Sequence, residues 1–183
     1  MRNKKDIYIC GELFKAKRSH FSFDTRFKQI ENMKELKKLQ DFPNLESVSL
    51  NGTNINDIGL QYVGQCPTVT NINLTFTNIT DKGIAHLVNL KSLKYLRLKE
   101  TNISKNCVLY FNQMTHLISL QIHETDISGK DLINLNLNNL EELFVDCIDE
   151  EDYNVLLSLS NRIPSCQIIA KGKGTFYRGV FEF

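Results

Sequence analysis

Leu45-Glu46-Ser47-Val48-Ser49-Leu50-Asn51-Gly52-Thr53-Asn54-Ile55 is the stretch that decides how this chain folds, because its pattern returns at a fixed interval. Leu45-x-x-Val48-x-Leu50-x-x-Thr53-Asn54-Ile55 comes back 24 residues later as Val69-x-x-Ile72-x-Leu74-x-x-Thr77-Asn78-Ile79, and again as Leu93-x-x-Leu96-x-Leu98-x-x-Thr101-Asn102-Ile103. A fourth copy, Leu117-x-x-Leu120-x-Ile122-x-x-Thr125-Asp126-Ile127, keeps the spacing. A period of this length marks a stacked array, in which each unit buries its apolar side chains only against its neighbours.

The second half of each unit reads as a short helix. Asn56, Thr80, Ser104 and Ser128 occupy one place, just after the isoleucine, and all are residue types whose side chains accept from the free N–H groups of a helix start. Behind them Leu60 and Val63, Ile84 and Leu87, Val108 and Phe111, and Leu132 and Leu135 recur at helical spacing and are expected to face the strand. Gln61, Lys82, His86, Lys105, Asn134 and Asn136 fall on the outer side. Thr53, Thr77, Thr101 and Thr125 stand where the chain leaves the strand; their hydroxyls are expected to satisfy backbone groups there, and one another.

The array starts before its first complete strand. Asn32-x-x-Glu35 has the form of a capping box, and Leu36, Leu39 and Phe42 precede Leu60, Val63 and Cys66 by 24 residues, so a helix over 32–42 is in phase. Ahead of it, the strand-like runs Ile7 to Cys10 and His20 to Phe23, with the basic Lys15-Ala16-Lys17-Arg18 between them, read as a cap over the open end of the first unit. The fifth unit keeps Leu140-x-x-Leu143-x-Val145 but replaces the Thr-Asn-Ile turn by Asp146-Cys147-Ile148-Asp149. Its helix is expected to begin early, at Asp149-x-x-Asp152, with Tyr153, Leu156 and Leu159 inward. A half-unit, Ile163-x-x-Cys166-x-Ile168, ends the strands near residue 170. Beyond the Lys171-Gly172-Lys173-Gly174 turn, the aromatic tail from Phe176 to Phe183 is expected to fold over the other end. The organisation is one domain over 1–183: an N-terminal cap over 1–30, repeats over 31–170 and a C-terminal cap over 171–183.

These units resemble the leucine-rich-repeat family, whose pattern is L-x-x-L-x-L-x-x-N/C-x-L, with Thr here where that family most often has Asn or Cys. The resemblance implies an α/β fold: a curved, right-handed solenoid with a parallel β-sheet on the concave face and short helices on the convex face. It also implies a non-catalytic scaffold that binds a protein partner through the concave face.

If the leucines point inward, the residues between them project from the sheet in columns, with neighbours about 4.8 Å apart. Ser47, Asn71, Tyr95, Ser119 and Glu142 form one column; Ser49, Asn73, Arg97, Gln121 and Phe144 the next; Asn51, Thr75, Lys99, His123 and Asp146 a third. The first two repeats offer small polar groups. The later ones offer Tyr95, Arg97, Lys99, Gln121, His123, Glu124, Phe144 and Asp146, with Phe76 in the strand-exit column, and aromatics beside arginine are what interface hot spots are enriched in. These nine residues are the expected partner-binding patch.

Other chemistries have less behind them. His123, Asp146 and Cys147 together hold the groups of a thiol hydrolase, but on an open sheet with no oxyanion-hole loop. Metal binding by His123 with Glu100 and Glu124 lacks ligand spacing, since His20, His86 and His116 are scattered, and no phosphate loop is present. Neither a cofactor nor a metal is expected.

Lys and Arg number 22 against 21 for Asp and Glu, so there is no net field to hold nucleic acid. The apolar run Ile7 to Cys10 is too short for a signal segment, and nothing approaches a membrane span. The five cysteines, an odd number with no C-x-x-C pair, read as free thiols in a reducing compartment, which points to the cytoplasm. The expected function is an intracellular protein-interaction module, such as an inhibitor or immunity-type regulator, acting as a monomer with a dimer left open. An adaptor or effector that docks a second protein through residues 1–30, in the manner of ubiquitin-ligase substrate-recognition subunits, is the alternative; no F-box-like Leu-Pro start supports it.

Overall fold

The structure is a computed structural model that describes residues 6–24 and 27–183; the basic stretch Met1 to Lys5 lies outside the described residues. The chain opens with an antiparallel hairpin of β1 (Ile7–Ile9) and β2 (Glu12–Phe14), and β3 (His20–Ser22) follows as the first strand of the main sheet. Each repeat then contributes three residues to a strand: β4 (Ser47–Ser49), β5 (Asn71–Asn73), β6 (Tyr95–Arg97) and β7 (Ser119–Gln121). β8 (Glu142–Val145) and β9 (Gln167–Ala170) continue the parallel series, and β10 (Gly174–Tyr177) with β11 (Val180–Glu182) closes the sheet as an antiparallel hairpin.

The pairing carries no slip, so side chains stack in straight rows. Phe21, Val48, Ile72, Leu96, Leu120, Leu143, Ile168 and Phe176 face one another from β3 to β10. All of them are fully buried. A strand of three residues cannot be stable alone, so the row supplies what each repeat lacks. At the N-terminal end Phe21 packs on Phe14, with ring centroids 4.8 Å apart, and on Phe23 and Phe42. At the other end Phe176 packs against Tyr153 at 5.1 Å and Phe181 at 4.7 Å. The tail therefore prolongs the sheet and buries its Phe176, while Phe183 is left in solvent.

Opposite the sheet lie short helical segments: a 3-10 helix over Met33–Asp41, α1 (Asp57–Val63), α2 (Asp81–Ile84) running into a 3-10 turn, a 3-10 turn running into α3 (Val108–Phe111), a 3-10 turn over Gly129–Leu132, and α4 (Glu150–Arg162). The eight inward positions read from their spacing are all buried. Asn56, Thr80 and Ser104 accept from Gly59, Lys82 and Asn106 N–H groups, and Asp149 from that of Asp152. Asn32 caps its helix through the Lys34 N–H, but Glu35 does not complete a capping box. Its carboxylate instead takes the Cys10 N–H at 2.9 Å and so ties the first hairpin to the array. At the Ser128 helix start the Asp131 carboxylate accepts the Ser128 N–H at 3.0 Å.

Carboxylates also tie one repeat to the next, with no signal in the sequence. Asp57 accepts from the Thr80 N–H and hydroxyl at 2.9 and 2.7 Å, and Asp81 does the same for Ser104 at 2.7 and 2.6 Å. Each helix start is thus held by a first-turn carboxylate of the preceding repeat. Position 105 is Lys, so the series stops there, and the buried Asp152 takes over from the other side by accepting the Lys130 and Ile148 N–H groups, both at 2.7 Å. Burial alone would raise the Asp152 pKa; those hydrogen bonds, with one from Ser128, hold it below the usual carboxylate value.

The threonine column behaves as expected in one respect and not in another. The hydroxyls of Thr53, Thr77, Thr101 and Thr125 donate to the carbonyls of Leu50, Leu74, Leu98 and Ile122 at 2.6–2.8 Å. They do not bond to one another, because each is committed within its own turn. Thr101→Val leaves the Leu98 carbonyl without this partner and is expected to cost about 1 kcal/mol, or roughly 2–4 °C in thermal melting. Phe176→Ala, which empties the end of the apolar row, is expected to cost about 3–5 kcal/mol. A Phe176→Ala melting curve superimposable on wild type would show that the tail does not hold the fold.

Candidate partner-binding face

The strand register turns the expected columns into neighbours. Asn71 pairs with Tyr95 and Tyr95 with Ser119; Asn73 with Arg97, Arg97 with Gln121, and Gln121 with Phe144. Tyr95 and Arg97 are exposed, Gln121 and Phe144 half-buried, and Ser119 buried. Among the described residues Arg97 has no carboxylate within ion-pair distance. Its guanidinium is thus available to an incoming group.

The strand-exit positions carry strain that the sequence does not announce. Gly52, Phe76, Glu100 and Glu124, each immediately before the column threonine, have φ of 69°, 62°, 54° and 58°. The turn that leads the chain from strand to helix requires a left-handed residue at this point. Glycine accepts that freely, while an ordinary side chain pays roughly 1 kcal/mol or more. Phe76 nevertheless stands 55% exposed in this conformation. A bulky aromatic held left-handed and bare to solvent is the kind of outlier that points toward a functional surface.

Charged groups near the strand exits of β6 to β9 form a connected set. Lys99 Nζ lies 3.0 Å from Glu100 and 3.2 Å from Glu124, and Lys171 also pairs with Glu124. The lysines thus occupy Glu100 and Glu124, the carboxylates beside His123; among the described residues no group of three or more His, Cys, Asp or Glu is arranged to hold a metal ion. Lys171 enters this set from the turn after β9, which its position in a Gly-Lys run did not disclose.

Asp146 Oδ2 accepts the Glu124 N–H at 2.5 Å, and its carbonyl accepts the Gly129 N–H, so this residue fastens the fourth repeat to the fifth where the Thr-Asn-Ile turn is missing. Burial pushes its pKa up, with His123 offsetting part of the rise. His123 lies beside Phe144, ring centroids 6.0 Å apart, with its Nδ1 buried and unpartnered. Burial pulls the His123 pKa below 6.5; Asp146 works against this and Lys99 and Lys171 with it. Cys147 does not gain a reactive thiol from these neighbours: burial pushes its pKa up, Asp152 and Asp149 add to the rise, and Lys173 opposes it. A nucleophilic cysteine needs the reverse.

The face also extends beyond the columns read from the repeats. His20 and Ser22 of β3 stand opposite Ser47 and Ser49, and His20 Nδ1 shares a hydrogen bond with Ser47 Oγ at 3.0 Å. At the other end Ile169 lies beside Phe144 and Thr175 beside Ile169. His20 was legible as part of a strand-like run, but only pairing assigned it to this surface.

A sheet of nine strands, parallel from β3 to β9, with one short helical segment per repeat, is the leucine-rich-repeat fold. Solved structures of that kind superimpose on it. An internalin (inlF) from Listeria monocytogenes str. 4b F2365 is 22% identical with a TM-score of 0.57, over 86% of this chain and 50% of its own. Internalin C2 (inlC2) from the same strain is 20% identical with a TM-score of 0.58, over 82% of this chain and 70% of its own. The plant peptide hormone receptor RGFR1, solved in complex with RGF2, is 15% identical with a TM-score of 0.51, over 85% of this chain and 28% of its own. This chain thus spans about half the length of the first of these. At such identities the likeness is one of fold. Neither a family model nor a curated protein matches the sequence.

Three measurements follow from this geometry. Phe76→Gly removes the left-handed strain and is expected to leave the melting temperature unchanged or a few degrees higher, whereas Phe76→Val, β-branched, is expected to lower it. Native Cys147 is expected to react with iodoacetamide more slowly at neutral pH than a small free thiol; a faster reaction would revive the hydrolase idea. Since the His123 pKa is depressed in the fold, its contribution to stability is present in full above about 6.5 and is lost as pH falls through the lower folded value. His123→Asn is expected to flatten that part of a stability-against-pH profile.

Proposed function

We propose that this chain is a non-catalytic protein-interaction module that takes a protein partner on the open face of its sheet, through Phe76, Tyr95, Arg97, Lys99, Gln121, His123, Glu124, Phe144 and Asp146. The observation that carries this reading is Arg97 two residues from Tyr95 on β6, both exposed, one unpaired among the described residues and one aromatic. Hot spots draw on these residue types, and strands hold them without the ordering cost of a loop. The strained Phe76 at the rim supports it.

We read this face as concave. Paired strands sit about 4.8 Å apart while packed helices need 8–10 Å, so stacking repeats bends the array toward the sheet. The peptide receptor in complex with RGF2 supports a polypeptide ligand for the fold. Within this class we favour a regulator of the inhibitor or immunity type that sequesters one partner. A reducing compartment such as the cytoplasm fits the five free thiols, of which Cys66, Cys107 and Cys166 are buried. No described helix is long and apolar enough to cross a membrane.

Affinity capture with wild type and a Tyr95→Ala, Arg97→Ala, Phe144→Ala variant of matched melting temperature tests the reading. A partner retained by wild type and lost by the variant is the expected result. Equal capture by both would move the contact to the helical side or the chain ends.

A further inference from the structure

The half of the sheet face built by β3 to β6 is chemically unlike the rest. Its outward residues are His20, Ser22, Ser47, Ser49, Asn71, Asn73, Tyr95 and Arg97, without a carboxylate among them. A groove at its β3 end is lined by Lys15, Lys17, Arg18, His20, Ser22 and Asp24. Lys15 is bound to Asp6 at 2.7 Å, but Lys17 and Arg18 are exposed and meet no carboxylate within ion-pair distance among the described residues. The undescribed residues, Met1 to Lys5, Thr25 and Arg26, include no Asp or Glu to supply one. Asp24 is the single carboxylate in the groove lining. Within the strands the first outward carboxylate is Glu142 of β8, and the strand-exit carboxylates Glu100 and Glu124, at the edge of the face, are paired with Lys99 and Lys171.

Resting on the sheet-face reading above and adding the chemistry of the ligand, we propose that this half seats an extended acidic peptide segment of the partner, lying across the strands. One carboxylate sits at Lys17, Arg18 and His20, and a second at Arg97. Arg97 lies three strand spacings from β3, about 14 Å at about 4.8 Å each, in line with Ser22, and His20 is two residues further along β3, so the anchors are about 16 Å apart. An extended chain advances about 3.4 Å per residue and repeats a face every second residue, so the two acidic side chains are four positions apart, with the remaining distance within reach of the long arginine side chains. Between these anchors Ser47, Ser49, Asn71 and Asn73 offer hydroxyl and amide groups to the peptide backbone, at a site with no charge to desolvate. A single-stranded nucleic acid would ask for aromatic platforms along its path, and on these strands only Tyr95 offers one.

The test is fluorescence anisotropy with a short labelled peptide carrying two glutamates four positions apart in a Gly/Ser background. Analogues with glutamine or lysine in place of both glutamates, and an oligothymidylate of similar length, serve as comparisons. The glutamate peptide is expected to bind best, and Arg97→Glu or the Lys17→Glu, Arg18→Glu pair to weaken it roughly tenfold, with steep loss in added salt. All of these side chains are exposed, and melting curves establish that each variant is folded. No binding of the glutamate peptide at millimolar concentration, equal binding of the lysine analogue, or tighter binding of the oligothymidylate overturns the proposal. If that happens while the Tyr95, Arg97, Phe144 variant still loses a captured partner, the acidic ligand alone is wrong. If capture is also unchanged, the sheet-face reading falls with it.

Discussion

Contact between the central apolar side chain of one strand and that of the next is what the remainder of this structure depends on. The strands of β3 to β7 are three residues long and the helical segments beside them, such as Asp57–Val63 and Gly129–Leu132, are far shorter than a helix stable by itself, so no repeat holds itself together. Eight side chains in register, from Phe21 to Phe176, turn these fragments into one buried row. Both ends of the row are aromatic and are themselves packed by aromatics. A repeat array has an apolar surface at each end, and here phenylalanines cover it.

Straight register has a second consequence, at the surface. Because the row inside carries no slip, the residues between the leucines also line up, and Tyr95, Arg97, Gln121 and Phe144 become neighbours although 49 positions separate the first from the last. The turn that ends each strand is likewise copied from repeat to repeat, with its left-handed residue and its threonine. Only the first copy meets that demand with glycine. Retaining Phe, Glu and Glu at the other three places costs stability, and those side chains stand at the edge of the open face.

Much of this was legible beforehand, for a reason particular to repeats. A 24-residue period shows which positions are inward without any need to know what they touch, and Leu60, Val63, Ile84 and Leu87 follow from spacing alone. Helix starts were legible from Asn56, Thr80 and Ser104, since capping acts within three residues. The carboxylates of Asp57 and Asp81 were not, because their partners lie 23 residues away and an exposed helical aspartate looks the same whether or not it is bonded. The strand-exit strain escaped for a similar reason: Phe76 and Glu100 are not residues that signal a positive φ. Lys171 looked like part of a loose turn, yet pairs with Glu124.

By itself the sequence determined the repeat length, the inward and outward positions, the helix starts and the place where the pattern breaks at Asp146, since each of these is set by short-range periodicity or local hydrogen bonding. Tertiary structure alone decided which residues share a surface: β3 beside β4, the antiparallel hairpin of β10 and β11 prolonging the sheet, the carboxylate ties between helices, and an open face that is cationic and polar at one end and carries carboxylates at the other. Those facts depend on pairing between segments far apart in the chain, and side-chain charge and burial at a shared surface exist only once the strands are side by side.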